Sequence, residues 1–116
     1  MALEEAATLD EIEIGGTLRV ELSEPVCLVR LSEDDVRAVH DTCSHQGQPL
    51  SEGAVDGETL VCAAHAATFD LATGRSVGIP EVAAVPVYTC TVEDGAVLVD
   101  VDQPLNDAEP ASPSPI

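Results

Sequence analysis

Turn signals cut this chain into pieces too short for a helical architecture. Gly15-Gly16, Ser23-Glu24-Pro25, Ser32-Glu33-Asp34-Asp35, Gly53, Asp56-Gly57, Thr73-Gly74, Gly78-Ile79-Pro80 and Asp94-Gly95 punctuate it at short intervals. Between them lie runs rich in Val, Leu and Thr over 18–22, 26–31, 36–40, 59–61, 68–71, 85–92 and 96–101. In the first run Val20 and Leu22 alternate with Arg19 and Glu21, the pattern of a half-buried strand. The last two runs flank Asp94-Gly95 and read as a tight hairpin. Many short strands with frequent turns predict an all-β, antiparallel sandwich or small barrel. A short helix over 6–12 is the one helical reading.

The apolar content, 45% of 116 residues, is enough for one packed core. Phe69 and Tyr88 are the only aromatic residues, so that core is built mainly from small aliphatic side chains, which suit a sheet. The end is different. Pro104, Pro110, Pro113 and Pro115 break any regular element, and 107–116 is expected to be a disordered acidic, proline-rich tail after a single domain over 1–106.

Acidic residues outnumber basic ones by 22 to 4, a formal charge of −18. Such a surface repels phosphate backbones and anionic membranes, which argues against nucleic-acid and membrane partners. It suits a partner with a basic docking face, reached by electrostatic steering, and equally suits a charge that only keeps the chain in solution, because acidity alone names no partner. The N-terminus has neither the basic start nor the apolar run of a secretory signal, and no stretch nears the roughly 20 apolar residues of a membrane helix. A cytoplasmic location is therefore expected. Thiols stay reduced there, so four cysteines point to metal binding or buried thiols before disulfides.

Two of those cysteines stand beside histidines. Cys43-Ser44-His45 and Cys62-Ala63-Ala64-His65 are separated by the sixteen residues 46–61, and each follows a strand-like run. Each doublet offers one soft thiolate and one imidazole. Two thiolates and two imidazoles satisfy tetrahedral zinc, and they also satisfy a [2Fe–2S] cluster in which two His replace two Cys on one iron. The distribution favours the cluster: each loop can give a sulfur to one iron and a nitrogen to the other, which a single zinc does not need. Zinc remains the competing occupant.

The pattern Cys-x-His, sixteen residues, Cys-x-x-His resembles the signature of Rieske [2Fe–2S] proteins. Pro49-Leu50-Ser51-Glu52-Gly53 and Val55-Asp56-Gly57-Glu58 resemble the linker of Rieske-type ferredoxins of multicomponent aromatic-ring and non-heme iron oxygenases. Thr68-Phe69-Asp70 with Thr73-Gly74 resembles the segment after the second loop, and Gly78-Ile79-Pro80 the proline-containing third loop. The resemblance runs from about Ile12 to Val101. It implies a Rieske fold, with a small cluster-binding subdomain at about 42–81 inserted in a larger β core. It also implies one cluster per chain, with Cys43 and Cys62 on the inner iron and His45 and His65 on the outer, redox-active iron.

Some positions depart from the high-potential members of that family. Gln48 and Ala64 stand where those members carry a disulfide, and Ala67 and Phe69 stand where they carry hydroxyls that donate to cluster sulfur. Fewer donors stabilise the reduced state less, so a potential at the low end of the Rieske range, roughly −150 mV, is expected. Ala66 stands where the family usually has Gly.

The remaining candidates read as structural. Cys27 and Cys90 lie in apolar runs without a ligand neighbour and behave as small buried hydrophobes. His40 reads as a satisfied strand histidine. With three His in all, two of them assigned, the chain has no room for a mononuclear iron triad of two His and a carboxylate. The resemblance thus implies a monomeric electron carrier, not an enzyme. It would take electrons from a flavin-dependent NAD(P)H reductase and pass them to a terminal oxygenase. Two alternatives are a component of an iron–sulfur cluster assembly system and a small subunit of a nitrite-reductase-like complex.

Overall fold

The computed structural model describes residues 3–42, 49–62, 67–78, 83–106 and 108. They form nine strands and two single 3₁₀ turns, and every strand pairing is antiparallel. The strands are β1 (Glu4–Thr8), β2 (Thr17–Glu21), β3 (Pro25–Arg30), β4 (Val36–His40), β5 (Ala54–Asp56), β6 (Thr59–Val61), β7 (Thr68–Asp70), β8 (Val87–Glu93) and β9 (Ala96–Pro104). Six make one sheet in the order β1-β9-β8-β4-β3-β2, and β5-β6-β7 make a second, smaller one. The all-β antiparallel expectation is met.

The larger sheet curls into a nearly closed barrel. Arg30 at the end of β3 helps to hold the curl. Its Nη1 donates to the carbonyls of Leu9 (3.0 Å) and Ile12 (2.9 Å), in the 3₁₀ turn that follows β1. One guanidinium therefore joins the β2–β3 edge of the sheet to its β1 edge.

β3 is the central element. Val26, Cys27, Leu28 and Val29 are all fully buried, so both of its faces are covered. Val26 and Leu28 pack in the barrel interior with Ala7, Ile12, Ala38, Tyr88, Val97 and Val99. Cys27 and Val29 pack on the opposite face, with Val39, Leu50, Leu60, Cys62, Phe69 and Leu71, in the core between the two sheets. A strand apolar on both faces reads as an uninterrupted run, which is what the sequence has here.

The β8–β9 hairpin turns at Asp94 and Gly95, both at positive φ (51° and 80°), as the Asp-Gly pair predicts. The 6–12 helix is not formed. Glu4–Thr8 is instead a strand on β9, followed by one 3₁₀ turn at Leu9–Glu11. Seven residues are too few to hold an isolated helix, whereas the edge of β9 offers a ladder and buries Ala7 against Val97 and Val99. β5 also escaped the sequence reading: three residues pair with β6 through the Asp56-Gly57 turn.

Gly53 precedes β5, and a Cβ there would collide with the Val61 carbonyl. Replacement by alanine must push β6 away from the 3₁₀ turn Leu50–Glu52. Gly53→Ala is expected to lower the unfolding free energy by about 1–3 kcal/mol in a urea titration.

Candidate metal centre

Of the four expected ligands, Cys62 is described. Cys43, His45 and His65 lie outside the described residues, as do Gln48, Ala64, Ala66, Ile79 and Pro80. Among the described residues no group of three or more His, Cys, Asp or Glu side chains could hold a metal ion. The structure does describe the segments on either side of both Cys-His doublets.

The first loop leaves β4 through Asp41 and Thr42, both buried, and returns at Pro49 into the 3₁₀ turn Leu50–Glu52. Asp41 closes it. Its carboxylate accepts from the Ser51 backbone N–H (2.6 Å), the Ser51 hydroxyl (2.7 Å) and the Arg19 guanidinium (3.0 Å). The Asp41 side chain has no solvent exposure, while Arg19 is 41% exposed. A carboxylate out of water needs such partners, and charge-assisted bonds are the strong ones. The Thr17 hydroxyl donates to the Ser51 carbonyl (2.8 Å), so β2 holds the same turn a second time.

The second loop leaves β6 at Cys62 and rejoins the sheet at Ala67. The Cys62 N–H donates to the Ala67 carbonyl (2.8 Å), closing it at its base. Cys62 is fully buried and packs with Leu50, Leu60, Ala67 and Phe69. Ala54 pairs with Val61, the residue before Cys62, and the tight approach of Gly53 to the Val61 carbonyl sets the return of the first loop beside the exit of the second. A buried thiol in an apolar wall suits a soft-metal centre whose positive charge offsets the thiolate, and does not suit a hydrated ion. In this respect the residues present fit an iron–sulfur cluster.

The other candidates fall elsewhere. Cys27 is fully buried, and burial, with the Asp41 charge adding to it, holds its thiol well above the ordinary range. Burial, followed by the nearby Asp35, pushes Cys90 up to about 12. Both are neutral thiols at physiological pH. His40 is buried on β4, with Nδ1 3.1 Å from the Tyr88 hydroxyl on β8 and 3.7 Å from the Glu24 carboxylate. Ala67 and Phe69 are buried and carry no hydroxyl.

Comparison with known proteins decides the family. The Rieske [2Fe–2S] domain family matches residues 4–89. This chain belongs to the Rieske family. It accordingly carries a Rieske-type [2Fe–2S] cluster. The chain is 32% identical over 97 residues to the 3-phenylpropionate/cinnamic acid dioxygenase ferredoxin subunit of Photorhabdus laumondii, an alignment covering 83% of this chain and 91% of the relative. Among solved structures, it resembles the ferredoxin of carbazole 1,9a-dioxygenase from Nocardioides aromaticivorans IC177 with a TM-score of 0.78 and 28% identity, covering 85% of this chain and 97% of that one. A chain in a complex of reduced oxygenase and oxidized ferredoxin in carbazole 1,9a-dioxygenase matches with a TM-score of 0.75 and 27% identity, over 84% of this chain and 91% of that one. The Rieske-type ferredoxin resemblance therefore holds across nearly the whole chain. Among the described residues no helix is long and apolar enough to cross a membrane.

Sequence reasoning missed the clamps. Asp41, Ser51 and Arg19 are separated along the chain, and the only signal was an acidic residue at the end of an apolar strand, just before the first doublet. Asp41→Asn keeps the shape and removes the charge. It is expected to cost about 1.5–3 kcal/mol and to lower the iron and sulfide retained per chain after purification.

Proton linkage at Cys90 gives a second expectation. A thiol whose folded-state pKa is raised contributes stability that is complete below its unfolded value, 9.0, and is lost as pH rises toward about 12. Tyr88 acts in the same direction: burial and the Glu24 charge raise its phenol from 10.0 to about 12. The thermal midpoint should fall between pH 9 and pH 12, and Cys90→Ala should flatten that fall.

Proposed function

We propose that Cys43, His45, Cys62 and His65 hold the cluster, and that the chain carries single electrons from an NAD(P)H-dependent flavin reductase to a terminal non-heme iron oxygenase. The observation that carries this reading is the pairing of two clamped loop roots with a relative named as a dioxygenase ferredoxin subunit. The geometry supports a fixed carrier. Asp41 and the Cys62–Ala67 bond tie both ligand-bearing loops to β strands, and a fixed ligand frame limits the rearrangement that accompanies a change of charge.

When bound, the cluster supplies a one-electron couple, made easier to reduce than an all-Cys cluster by its neutral imidazole ligands. The chain's own residues set where in the Rieske range that couple lies. Ala67 and Phe69 offer no hydroxyl to a sulfur, and the thiols of Cys27 and Cys90 are neutral and packed in apolar surroundings. The carrier role asks nothing of them beyond packing. The charge of −18 favours partners with basic docking faces, and association should weaken as ionic strength rises.

Two measurements test this reading. A redox titration should give a midpoint near −150 mV, and a clearly positive value would contradict the account of the missing hydroxyl donors. NADH-driven turnover by an aromatic-ring oxygenase and its flavin reductase should depend on added protein. Turnover that is unchanged without it would remove the carrier role and leave the assembly and nitrite-reductase alternatives.

A further inference from the structure

The side chain of Asn106 lies at the close of the single domain, just after β9. Its Oδ1 accepts from the Val87 N–H (3.0 Å), and its Nδ2 donates to the carbonyls of Thr73 (3.0 Å) and Val85 (2.8 Å). One carboxamide thus satisfies three backbone groups on two segments far apart in sequence. The neighbouring Leu105 N–H donates to the Val87 carbonyl (2.6 Å), which aligns the residue.

The segments it joins are already pressed together. The Val85 N–H donates to the Gly74 carbonyl (2.9 Å) and the Gly74 N–H to the Asp70 carbonyl (2.7 Å). Gly74 has φ +76°, and a Cβ there would collide with the Val85 carbonyl and crowd Asn106 Nδ2. Only glycine fits such an approach comfortably. Val85 and Val87, the residues that Asn106 holds, are buried in the core that also contains Cys62, Phe69 and Leu71.

We propose that Asn106 is a positioning residue for the metal centre. By latching Val85 and Val87 to Thr73 it fixes part of the apolar wall that also contains Cys62, and through that shared core the thiolate that Cys62 offers. This rests on the reading of Cys62 as a ligand.

The test uses the full-length, cluster-loaded protein and two variants. Asn106→Ala removes the latch. Val97→Ala is a control, a truncation in the barrel core remote from the wall. Hydrogen exchange across 83–87, release of iron to a chelator, and midpoint potential are measured for both. Asn106→Ala should speed exchange in that segment and iron release by about tenfold each, as expected for three hydrogen bonds exchanged for water, and should shift the potential. Val97→Ala should lower the melting temperature with no preferential change in 83–87 and no shift in potential. Faster exchange with unchanged iron release and potential would overturn the proposal, as would an Asn106→Ala variant matching Val97→Ala in all three. If the cluster instead survived the loss of Cys62, the ligand reading would fail by itself, while the exchange result would still report on the latch.

Discussion

One buried carboxylate ties the larger sheet to the turn that leads into the smaller one. Asp41 ends the β4 segment of the barrel, and its partners, Ser51 and Arg19, come from the start of the smaller unit and from the β2 edge. Burying an ionised carboxylate is costly, and three hydrogen bonds, one of them from a guanidinium, offset that cost only when all are made together. The network therefore has one satisfied arrangement. That arrangement sets the 3₁₀ turn at Leu50–Glu52 against β2 and brings Gly53 onto Val61. The smaller sheet is thereby held where Leu60, Cys62 and Phe69 meet the outer face of β3. The backbone bond from Cys62 to Ala67 completes the frame at the second loop.

This frame suits the proposed role of the two loops as carriers of metal ligands. Loops carry function but are ordinarily the least constrained parts of a fold. Here their roots are strand ends, stapled by a charged network on one side and by a short backbone bond on the other. The apolar residues behind them are small and aliphatic, with Phe69 filling the centre. An absence of hydroxyl donors at Ala67 and Phe69 is then a property of the packed wall and is set by the same residues that make the core.

Much of this was legible in the sequence, for physical reasons that differ by element. β2, β3 and β4 read correctly because alternating or continuous apolar runs between turn residues report burial directly. The β8–β9 hairpin read correctly because Asp94 and Gly95 tolerate positive φ. β1 did not, because the alanines and the leucine of 6–12 carry only a weak local preference, and a neighbouring strand edge overrode it. β5 was hidden because three residues are too few to show a period, although its partner follows directly through the Asp56-Gly57 turn, and the extension of β9 to Pro104 was hidden because a proline reads as a breaker. At the candidate site the Cys and His doublets stood out because such residue types at such spacing are rare by chance. Asp41, Ser51 and Asn106 did not, because a polar side chain names no partner until the fold brings one within 3 Å.

The central claim is that Cys43, His45, Cys62 and His65 hold a Rieske-type cluster in this frame. EPR of the dithionite-reduced protein, with iron and sulfide analysis, tests it most directly when wild type is set beside Cys43→Ser, Cys62→Ser, Cys27→Ser and Cys90→Ser. The account predicts a Rieske-type signal with about two irons and two sulfides per chain in wild type, in Cys27→Ser and in Cys90→Ser. The signal should be lost in Cys43→Ser and Cys62→Ser. An EPR-silent, zinc-containing wild type, or a signal that survives the loss of Cys62, would contradict it.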